Sequence, residues 1–301
     1  MRVIILGSAA GGGVPQWNCG CDNCRDARAH GTRRTQSSVA LSADGERWVL
    51  LNASPDIGLQ LAARRALWPR GARGTPVRAV VLTDAEIDHT LGLLLLREGT
   101  APLPLYAPGG VAALLDDQWP LVRVLAAYAG AEPRPLPEGR AVTLADRTGA
   151  PLGISCTAVA VAHRAPRYAP TACAGSCAVG LRLADERSGR AVAYIPTAGA
   201  VDDAVRQVAA GSDLLLFDGT FWSDGELQGA GVDAPSAREM GHLPVGGPGG
   251  SLTLLPRLGV KRTVLVHINN TNPILRPGGP ERTQVEAAGL TVGEDGMEFE
   301  L

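Results

Sequence analysis

Four apolar runs of this chain each end at a residue able to bind a metal, and this regularity constrains the fold more than any other feature. The runs are short and bounded by turn residues, which is typical of buried strands. The residues that end them are Asp84, His163, Asp218 and His267. In layered α/β folds, functional side chains gather at one end of the strands. The sequence therefore predicts an α/β protein with a site at one edge of its sheets.

The same alternation of apolar runs and turns predicts the remaining elements. The predicted strands span residues 2–6, 38–41, 48–51, 79–82, 154–162, 178–183, 191–195, 214–217 and 262–266. Segments 38–41 and 48–51 are expected to form a hairpin around Asp44-Gly45, and 178–183 is expected to pair with 191–195. A helix is predicted to begin at Leu91, and residues 165–175 are predicted to form a loop.

The stretch after strand 79–82 places four potential ligands within six residues: Asp84, Glu86, Asp88 and His89. Alternate residues of an extended segment share a face, so the three acids are predicted to converge. Carboxylates that converge in a low-dielectric cleft repel one another unless a cation neutralises them. Spacing alone leaves two interpretations, a metal site and a polar loop with solvated acids.

Histidines are few in this chain. The five are His30, His89, His163, His242 and His267. A single histidine is more often a structural residue than a ligand. Three of these five, however, follow predicted strands near acids, which favours metal binding for the set.

Composition excludes several functions. The net charge of −2 over 301 residues gives no basic surface for nucleic acid. No apolar run reaches the roughly 20 residues that span a bilayer, so membrane insertion is not expected. No signal-peptide pattern follows Met1, and a cytoplasmic location is therefore expected. In that compartment cysteines are better interpreted as metal ligands or buried thiols than as disulfides. The length allows one large domain or two small ones.

Cysteines cluster near the N-terminus, in Cys19-Gly20-Cys21-Asp22-Asn23-Cys24. Three thiolates in six residues predict a structural zinc site, with redox-active thiols as the alternative. Spacing does not indicate the fourth ligand. Cys156 is predicted to lie in the core, and Cys173 and Cys177 are interpreted as incidental thiols, with a metal site as the alternative.

Glycines crowd the end of the first predicted strand, from Gly7 to Gly13. The run lacks the Lys-Ser/Thr ending of a nucleotide-binding loop. A tight backbone turn near the site is therefore predicted in preference to a phosphate loop.

The order of these motifs resembles the metallo-β-lactamase superfamily, whose signature is His-x-His-x-Asp-His after a strand, followed by a later His, an Asp and a last His. Here the first block is Asp84-x-Glu86-x-Asp88-His89, and His163, Asp218 and His267 follow in that order. The resemblance implies an αββα sandwich with metals at one edge between the two sheets. It also implies a single domain over residues 1–301, with an N-terminal Cys-rich zinc loop at about residues 15–30.

A closer resemblance lies in four segments, 7–13, 15–24, 52–56 and 267–273. Together they are similar to a family of pyrroloquinoline quinone (PQQ) biosynthesis proteins. The resemblance implies iron- and O2-dependent hydroxylation of the tyrosine ring in a glutamate-tyrosine precursor. The implied partners are a small-molecule or peptide precursor of PQQ and other PQQ biosynthesis proteins.

One departure from the superfamily pattern bears on the metal. Asp84 and Glu86 replace the two leading histidines, so the cluster is richer in oxygen and suits iron or manganese better than a pair of zinc ions. Two histidines and one carboxylate form the facial triad of non-haem iron oxygenases. We therefore expect Asp88, His89 and His267 to bind Fe(II), with zinc or manganese as substitutes in purified protein. The predicted remainder of the shell is His163, Asp84, Glu86 and Asp218.

Catalytic and substrate-binding roles follow from the same resemblance. His242 is expected to donate a proton or hold the phenol, with a structural hydrogen bond as the alternative, and Asp218 is assigned to catalysis as well as to the metal shell. A precursor bearing several carboxylates calls for arginines at the mouth of the site. The candidates in predicted loops are Arg33, Arg34, Arg164 and Arg167, each with a solvated surface arginine as the alternative.

Two other functions compete with the hydroxylase. One is a carrier that helps transport PQQ or its precursor to the periplasm. The other is a metal-dependent hydrolase of the kind common in the superfamily, and the replaced histidines at Asp84 and Glu86 argue against it.

Overall fold

Two mixed β-sheets form the centre of the computed structural model, which describes residues 1–169 and 175–301. Over that part of the chain each sheet has seven strands. The first sheet runs in the spatial order β14 (Glu298–Glu300), β1 (Arg2–Gly7), β2 (Ser38–Ser42), β3 (Trp48–Leu51), β4 (Val77–Val81), β5 (Leu103–Ala107) and β6 (Ala131–Pro135). The second runs β13 (Leu290–Val292), β12 (Arg262–Val266), β11 (Leu214–Asp218), β10 (Ala191–Ile195), β9 (Val179–Asp185), β8 (Pro151–Ala160) and β7 (Ala141–Ala145).

Helices cover the outer faces of both sheets. The helices are α1 (Asp22–His30), α2 (Ile57–Ala62), α3 (Ile87–Thr90), α4 (Gly92–Leu95), α5 (Gly109–Asp117), α6 (Leu121–Leu125), α7 (Asp203–Ala209), α8 (Glu226–Gly229), α9 (Ser251–Leu254) and α10 (Pro280–Ala287). Short 3-10 helices lie at Arg65–Leu67, Leu255–Leu258 and Pro273–Leu275. Among the described helices, none is both long enough and apolar enough to cross a membrane.

Strand residues alternate between two apolar environments. Val39 and Leu41 of β2 face the second sheet and join a core with Leu181 and Leu183. Ala40, between them, faces a second core formed with the helices on the outer side of the first sheet. Each large side chain buried in this way contributes roughly 1.5–3 kcal/mol. The layers therefore stack helix, sheet, sheet, helix, and the predicted αββα sandwich is confirmed.

Most predicted strands are confirmed, but two of them end earlier than expected. The predicted hairpin pairs Val39 with Leu51, and β9 pairs with β10 in the antiparallel sense. β4 ends three residues before Asp84, and β8 ends three residues before His163. Those two residues lie in loops, whereas Asp218 is the last residue of β11.

Two predictions about the cysteine segments need correction. The segment at 15–30 is not a loop throughout, because residues 22–30 form α1 and Cys24 lies within it. Cys177 is disulfide-bonded, so its interpretation as an incidental thiol is wrong. Cys173 lies outside the described residues, as does part of the predicted 165–175 loop. Cys156 is buried in the core as predicted.

Candidate metal centre

Parallel pairing places two of the strand ends side by side. β11 and β12 run parallel with Asp218 opposite Val266, so His267 follows one residue beyond that pair. The acidic motif reaches the same place from the other sheet, because Asp84 bridges to Ala178 and the Val179 N–H donates to Thr83 O at 2.9 Å. The site therefore lies at the seam where the edges of the two sheets meet.

Three side chains converge at this seam: Asp88, His89 and His267. Each offers one ligand atom, and these atoms all lie within 4.8 Å of one another. Asp88 Oδ2 is 3.2 Å from His267 Nε2 and 3.9 Å from His89 Nε2. The two imidazole rings meet edge to face with centroids 5.1 Å apart. This is the two-histidine, one-carboxylate set that the sequence grouped together.

The ring of His89 is held by Asp84. Its Nδ1–H donates to the Asp84 carboxylate, with both oxygens at 2.8 Å, while Thr83 Oγ1 and the Glu86 N–H also donate to that carboxylate. These bonds occupy Asp84, which belongs to neither of the histidine-containing ligand clusters found among the described residues. The three acids do not share one extended face, because α3 begins at Ile87. Asp84 lies against Nδ1 of His89, whereas Asp88 lies near Nε2 of the same ring.

Charge and burial at this cluster fit a cation. The His89 ring is fully buried, yet its Nε2 has no hydrogen-bond partner. Burial favours a neutral ring, yet the Asp84 and Asp88 carboxylates outweigh it and raise the pKa of His89 to about 9. Burial also opposes ionisation of Asp88, but His89 and His267 lower the pKa of Asp88 below its usual range. A cation at Nε2 would satisfy the orphaned nitrogen and the carboxylate together.

A second cluster joins Asp218, His242 and His267, again with ligand atoms within 4.8 Å. His242 Nδ1–H donates to Asp218 Oδ2 at 2.7 Å, and that carboxylate also accepts the N–H groups of Ala198 and Thr220. Thr220 Oγ1 lies 2.8 Å from His267 Nδ1 and 3.2 Å from His242 Nδ1. Asp218 is thus fully hydrogen-bonded, and Thr220 links the two rings.

Two other predicted ligands lie beside these clusters without joining them. Burial, together with the neighbouring Asp84 and Asp88 charges, raises the pKa of Glu86 to about 7. His163 Nδ1–H donates to Gly241 O at 3.0 Å, and the His163 ring meets that of His242 at 5.4 Å. The carbonyl partner fixes the proton on Nδ1 and leaves Nε2 of His163 as an acceptor.

The glycine-rich run approaches the cluster as predicted. A Cβ on Gly11 would lie 3.3 Å from Asp88 Oδ2, and Gly12 and Gly13 have positive φ angles of 93° and 66°. Ala10 N–H donates to Ile268 O, which ties this turn to the residue after His267. The predicted tight turn is therefore confirmed, and a side chain at Gly11 would press against the Asp88 carboxylate.

The four predicted substrate arginines lie in different surroundings. Arg164 interacts with the charge of Glu86 and donates to Glu239 O at 2.8 Å, so it lies beside the cluster. Arg34 is mostly buried, where it pairs with Glu294 at 3.2 Å and donates to Ser8 Oγ. Arg33 and Arg167 are exposed. Of these residues, Arg164 lies nearest to Glu86, whereas the guanidinium of Arg34 is engaged within the protein.

The three cysteines also come together. The sulfurs of Cys19, Cys21 and Cys24 lie within 4.8 Å of one another. Burial raises the pKa of Cys24 to about 11, and the other two thiols add to this effect. Asn23 Nδ2 donates to Asn270 O and Asn272 O, both at 2.9 Å, so α1 is joined to the loop that follows His267. Three thiolates this close together would repel one another, and a bound cation would neutralise them.

Thr220 is the residue that sequence reasoning missed. Its hydroxyl contacts Asp218, His242 and His267, all of which had been singled out. It stands two residues after Asp218, and an Asp side chain commonly binds the backbone N–H two residues on. That spacing placed Thr220 at the site, but nothing in the sequence showed that its hydroxyl would reach two histidines from other segments.

Sheets stacked between helical layers, with ligand-type residues gathered at the strand ends, define a protein of the metallo-β-lactamase class. A family model described as a beta-lactamase superfamily domain matches residues 47–268. Coenzyme PQQ synthesis protein B of Cupriavidus necator is 47% identical over 99% of both chains, and that of Methylococcus capsulatus is 44% identical over 100% of both. The chain belongs to the coenzyme PQQ synthesis protein B family.

A solved structure agrees with this assignment. The crystal structure of Zn(2+)-bound PqqB from Methylobacterium extorquens superposes with a TM-score of 0.90 and 41% identity, covering 100% of each chain. A diphosphatase of the PhnP family has a TM-score of 0.67 at 22% identity, which reflects the shared fold. The relative with bound zinc agrees with metal binding in this family.

Proposed function

We propose that this protein acts in PQQ biosynthesis as a non-haem, Fe(II)-dependent oxygenase that hydroxylates the tyrosine ring of a glutamate-tyrosine precursor. The observation that carries the proposal is the convergence of Asp88, His89 and His267, with His89 Nε2 buried and unpartnered. Two imidazoles and one carboxylate are the facial triad of iron oxygenases. The hydrolase alternative needs a first site of three imidazoles, and Asp84 is instead occupied in orienting His89.

In this proposal Asp88, His89 and His267 hold the metal, and bound Fe(II) supplies the activation of O2. Asp84 keeps the His89 proton on Nδ1, which turns the Nε2 lone pair toward the metal. Thr220 Oγ1 accepts the Nδ1–H of His267 and turns its Nε2 the same way. Glu86, His163 and Asp218 tune the charge around these ligands.

Proton transfer is assigned to His242. Its Nδ1–H is held by Asp218 at 2.7 Å, and its ring stacks on that of His267 with centroids 5.5 Å apart. An imidazole fixed in this way donates or accepts a proton through Nε2. Hydroxylation with O2 places one oxygen atom on the ring and releases the other as water, so a two-electron reductant and two protons are required, and His242 would supply a proton.

Substrate recognition and location complete the proposal. Arg164 lies near Glu86 and is assigned to a precursor carboxylate, with Arg33, Arg34 and Arg167 as further candidates. The chain would act as a single domain with a structural zinc on Cys19, Cys21 and Cys24. A cytoplasmic location and contacts with other PQQ biosynthesis proteins belong to the same proposal.

The deciding experiment measures oxygen uptake by protein loaded anaerobically with Fe(II), with ascorbate as the reductant and a glutamate-tyrosine peptide as the substrate. We expect uptake coupled to a product that gains one or two oxygen atoms on the tyrosine, detected by mass spectrometry. Protein loaded with zinc should show no uptake. His89→Ala should abolish uptake, whereas His30→Ala, a change at an exposed histidine, should leave it intact.

Two results would overturn the oxygenase. Tight binding of PQQ or its precursor without oxygen uptake would favour the carrier. Cleavage of a phosphodiester or ester by the zinc-loaded protein would favour the hydrolase.

A further inference from the structure

The amide of Asn270 caps the triangle of cysteine sulfurs. Its terminal nitrogen, as placed, lies 3.0 Å from Cys19 Sγ, 3.5 Å from Cys21 Sγ and 3.4 Å from Cys24 Sγ. A single atom near all three sulfurs occupies the place where the fourth vertex of a tetrahedron would lie. We propose that the Asn270 side chain supplies the fourth ligand of the cysteine zinc site, through its oxygen Oδ1. This inference rests on the proposed structural zinc.

The three distances agree with a tetrahedral ion. Zinc–sulfur bonds of about 2.3 Å and zinc–oxygen bonds of about 2.1 Å at tetrahedral angles separate the oxygen from each sulfur by about 3.6 Å. The observed separations of 3.0, 3.5 and 3.4 Å are close to that value and slightly shorter. The amide therefore needs only a small outward shift to accept an ion between itself and the sulfurs.

Amide chemistry decides which atom faces the metal. The nitrogen and oxygen of an asparagine side chain are nearly isosteric, and their assignment follows the surrounding hydrogen bonds. An NH2 group has two hydrogens and cannot donate to three sulfurs at once. A half-turn of the amide places Oδ1 at the same position, where a cation bound by three thiolates would attract it and where an amide oxygen is a competent ligand.

The backbone at Asn270 is fixed in a way that suits a ligand. Its carbonyl accepts from Asn23 Nδ2 at 2.9 Å, and Asn23 belongs to α1, the helix that carries Cys24. Gln16 N–H donates to Cys24 Sγ at 3.3 Å, and Cys21 N–H donates to Cys19 Sγ at 3.4 Å. Hydrogen bonds to two sulfurs and to the Asn270 carbonyl thus hold the ligand set together from both ends.

A neutral fourth ligand also fits the local charge. Three thiolates and Zn²⁺ leave one negative charge, which a neutral oxygen does not increase. Two guanidinium groups lie against this loop: Arg28 donates to Cys19 O at 2.6 Å, and Arg25 donates to Gly20 O. Cationic groups around the loop stabilise the remaining charge.

The test uses zinc-loaded protein and the variants Asn270→Ala and Asn270→His, with Asn269→Ala as the matched control on the same loop. Zinc affinity at the cysteine site is measured by chelator competition. Cobalt substitution reports the site separately, because thiolate-to-cobalt charge-transfer bands arise only where cysteine binds the metal. We expect Asn270→Ala to weaken the affinity about 10–100-fold, as changes to metal-site partners do. Asn270→His should restore the affinity and shift the cobalt ligand-field bands, while Asn269→Ala should leave both unchanged.

A crystal structure of the zinc-loaded protein would show the fourth ligand directly. Oδ1 of Asn270 is expected at about 2.0–2.2 Å from the ion. A water or another side chain in that place, or an unchanged affinity in Asn270→Ala, would overturn the assignment of Asn270 while the zinc site itself stands. Absence of any thiolate-to-cobalt band would instead overturn the structural zinc. Neither result depends on oxygen uptake.

Discussion

The two candidate metal sites of this protein are built on opposite plans. The cysteine cluster takes its three thiols from six consecutive residues and lies on a helix and loop outside the sheets. The Asp88, His89 and His267 cluster takes its ligands from segments far apart in sequence and lies at the seam between the sheets. Thiolates suit zinc, and the imidazole-carboxylate set suits a redox-active ion. In the proposed assignment, the first site holds structure and the second carries chemistry.

The two sites also differ in the groups that hold their ligands in place. Backbone N–H groups donate to two of the cysteine sulfurs, which requires only a correctly folded loop. The second site depends on side chains from other segments: Asp84 orients His89, and Thr220 contacts His267. We therefore expect damage at the first site to appear in stability, and damage at the second to appear in metal affinity and turnover.

The largest effect on stability is expected from Cys24→Ser. Cys24 is fully buried in α1, and losing a zinc thiolate removes binding energy that is also folding energy. The free energy of unfolding, measured by urea denaturation, should fall by several kcal/mol, and zinc should be lost. Cys156→Ala, at a buried thiol in the core, should cost only about 1 kcal/mol and retain the zinc. Equal losses in the two variants would contradict a structural metal.

His89→Ala should impair turnover while leaving the cysteine site intact. Removing one of three ligands is expected to reduce Fe(II)-dependent oxygen uptake more than about 100-fold, because changes to outer partners alone cost 10–100-fold. The zinc content of the cysteine site should stay the same. Metal analysis together with oxygen uptake checks both expectations. Normal turnover in this variant would refute the ligand assignment.

A smaller effect is expected from Asp84→Asn. The asparagine still accepts the Nδ1–H of His89 but lacks the charge that makes the ring a stronger ligand. Fe(II) affinity, measured by chelator competition, should fall about 10–100-fold with little change in unfolding free energy. Asp203→Asn, at a fully exposed carboxylate, is the control. An unchanged affinity in Asp84→Asn would show that Asp84 does not act through His89.

The smallest effect concerns Glu226, which lies beneath the loop shared by the two sites. Its carboxylate accepts from Thr271 Oγ1, and burial raises the pKa of Glu226 to about 7. A raised carboxyl pKa means that the folded protein binds the proton more tightly. This contribution to stability is therefore complete below about pH 4.5 and is lost as the pH rises to about 7. The loss is on the order of 1–3 kcal/mol.

Comparison with Glu226→Gln isolates this contribution. Unfolding free energies measured between pH 4.5 and 7.5 should fall more steeply for the parent protein than for the variant. Parallel curves would mean that Glu226 titrates normally in the folded protein.

Sequence reasoning predicted the sandwich and most strands because each strand is a short apolar run bounded by turns. It grouped Asp88, His89 and His267 through a family resemblance, and the structure brings these three side chains together. It assumed an extended segment from Asp84 to Asp88, whereas the chain enters α3 at Ile87. It could not place the Thr220 hydroxyl, because that group contacts histidines more than 20 positions away.

One loop serves both sites. His267 and Asn270 are three residues apart, and His267 adopts a left-handed backbone with φ of 56°, a conformation that costs energy for a residue other than glycine. Zinc bound by the cysteines and Asn270 would hold this loop in place and with it the backbone of His267. The structural ion would then act at a distance on the second site, because it fixes in advance the backbone that carries one of that site's ligands.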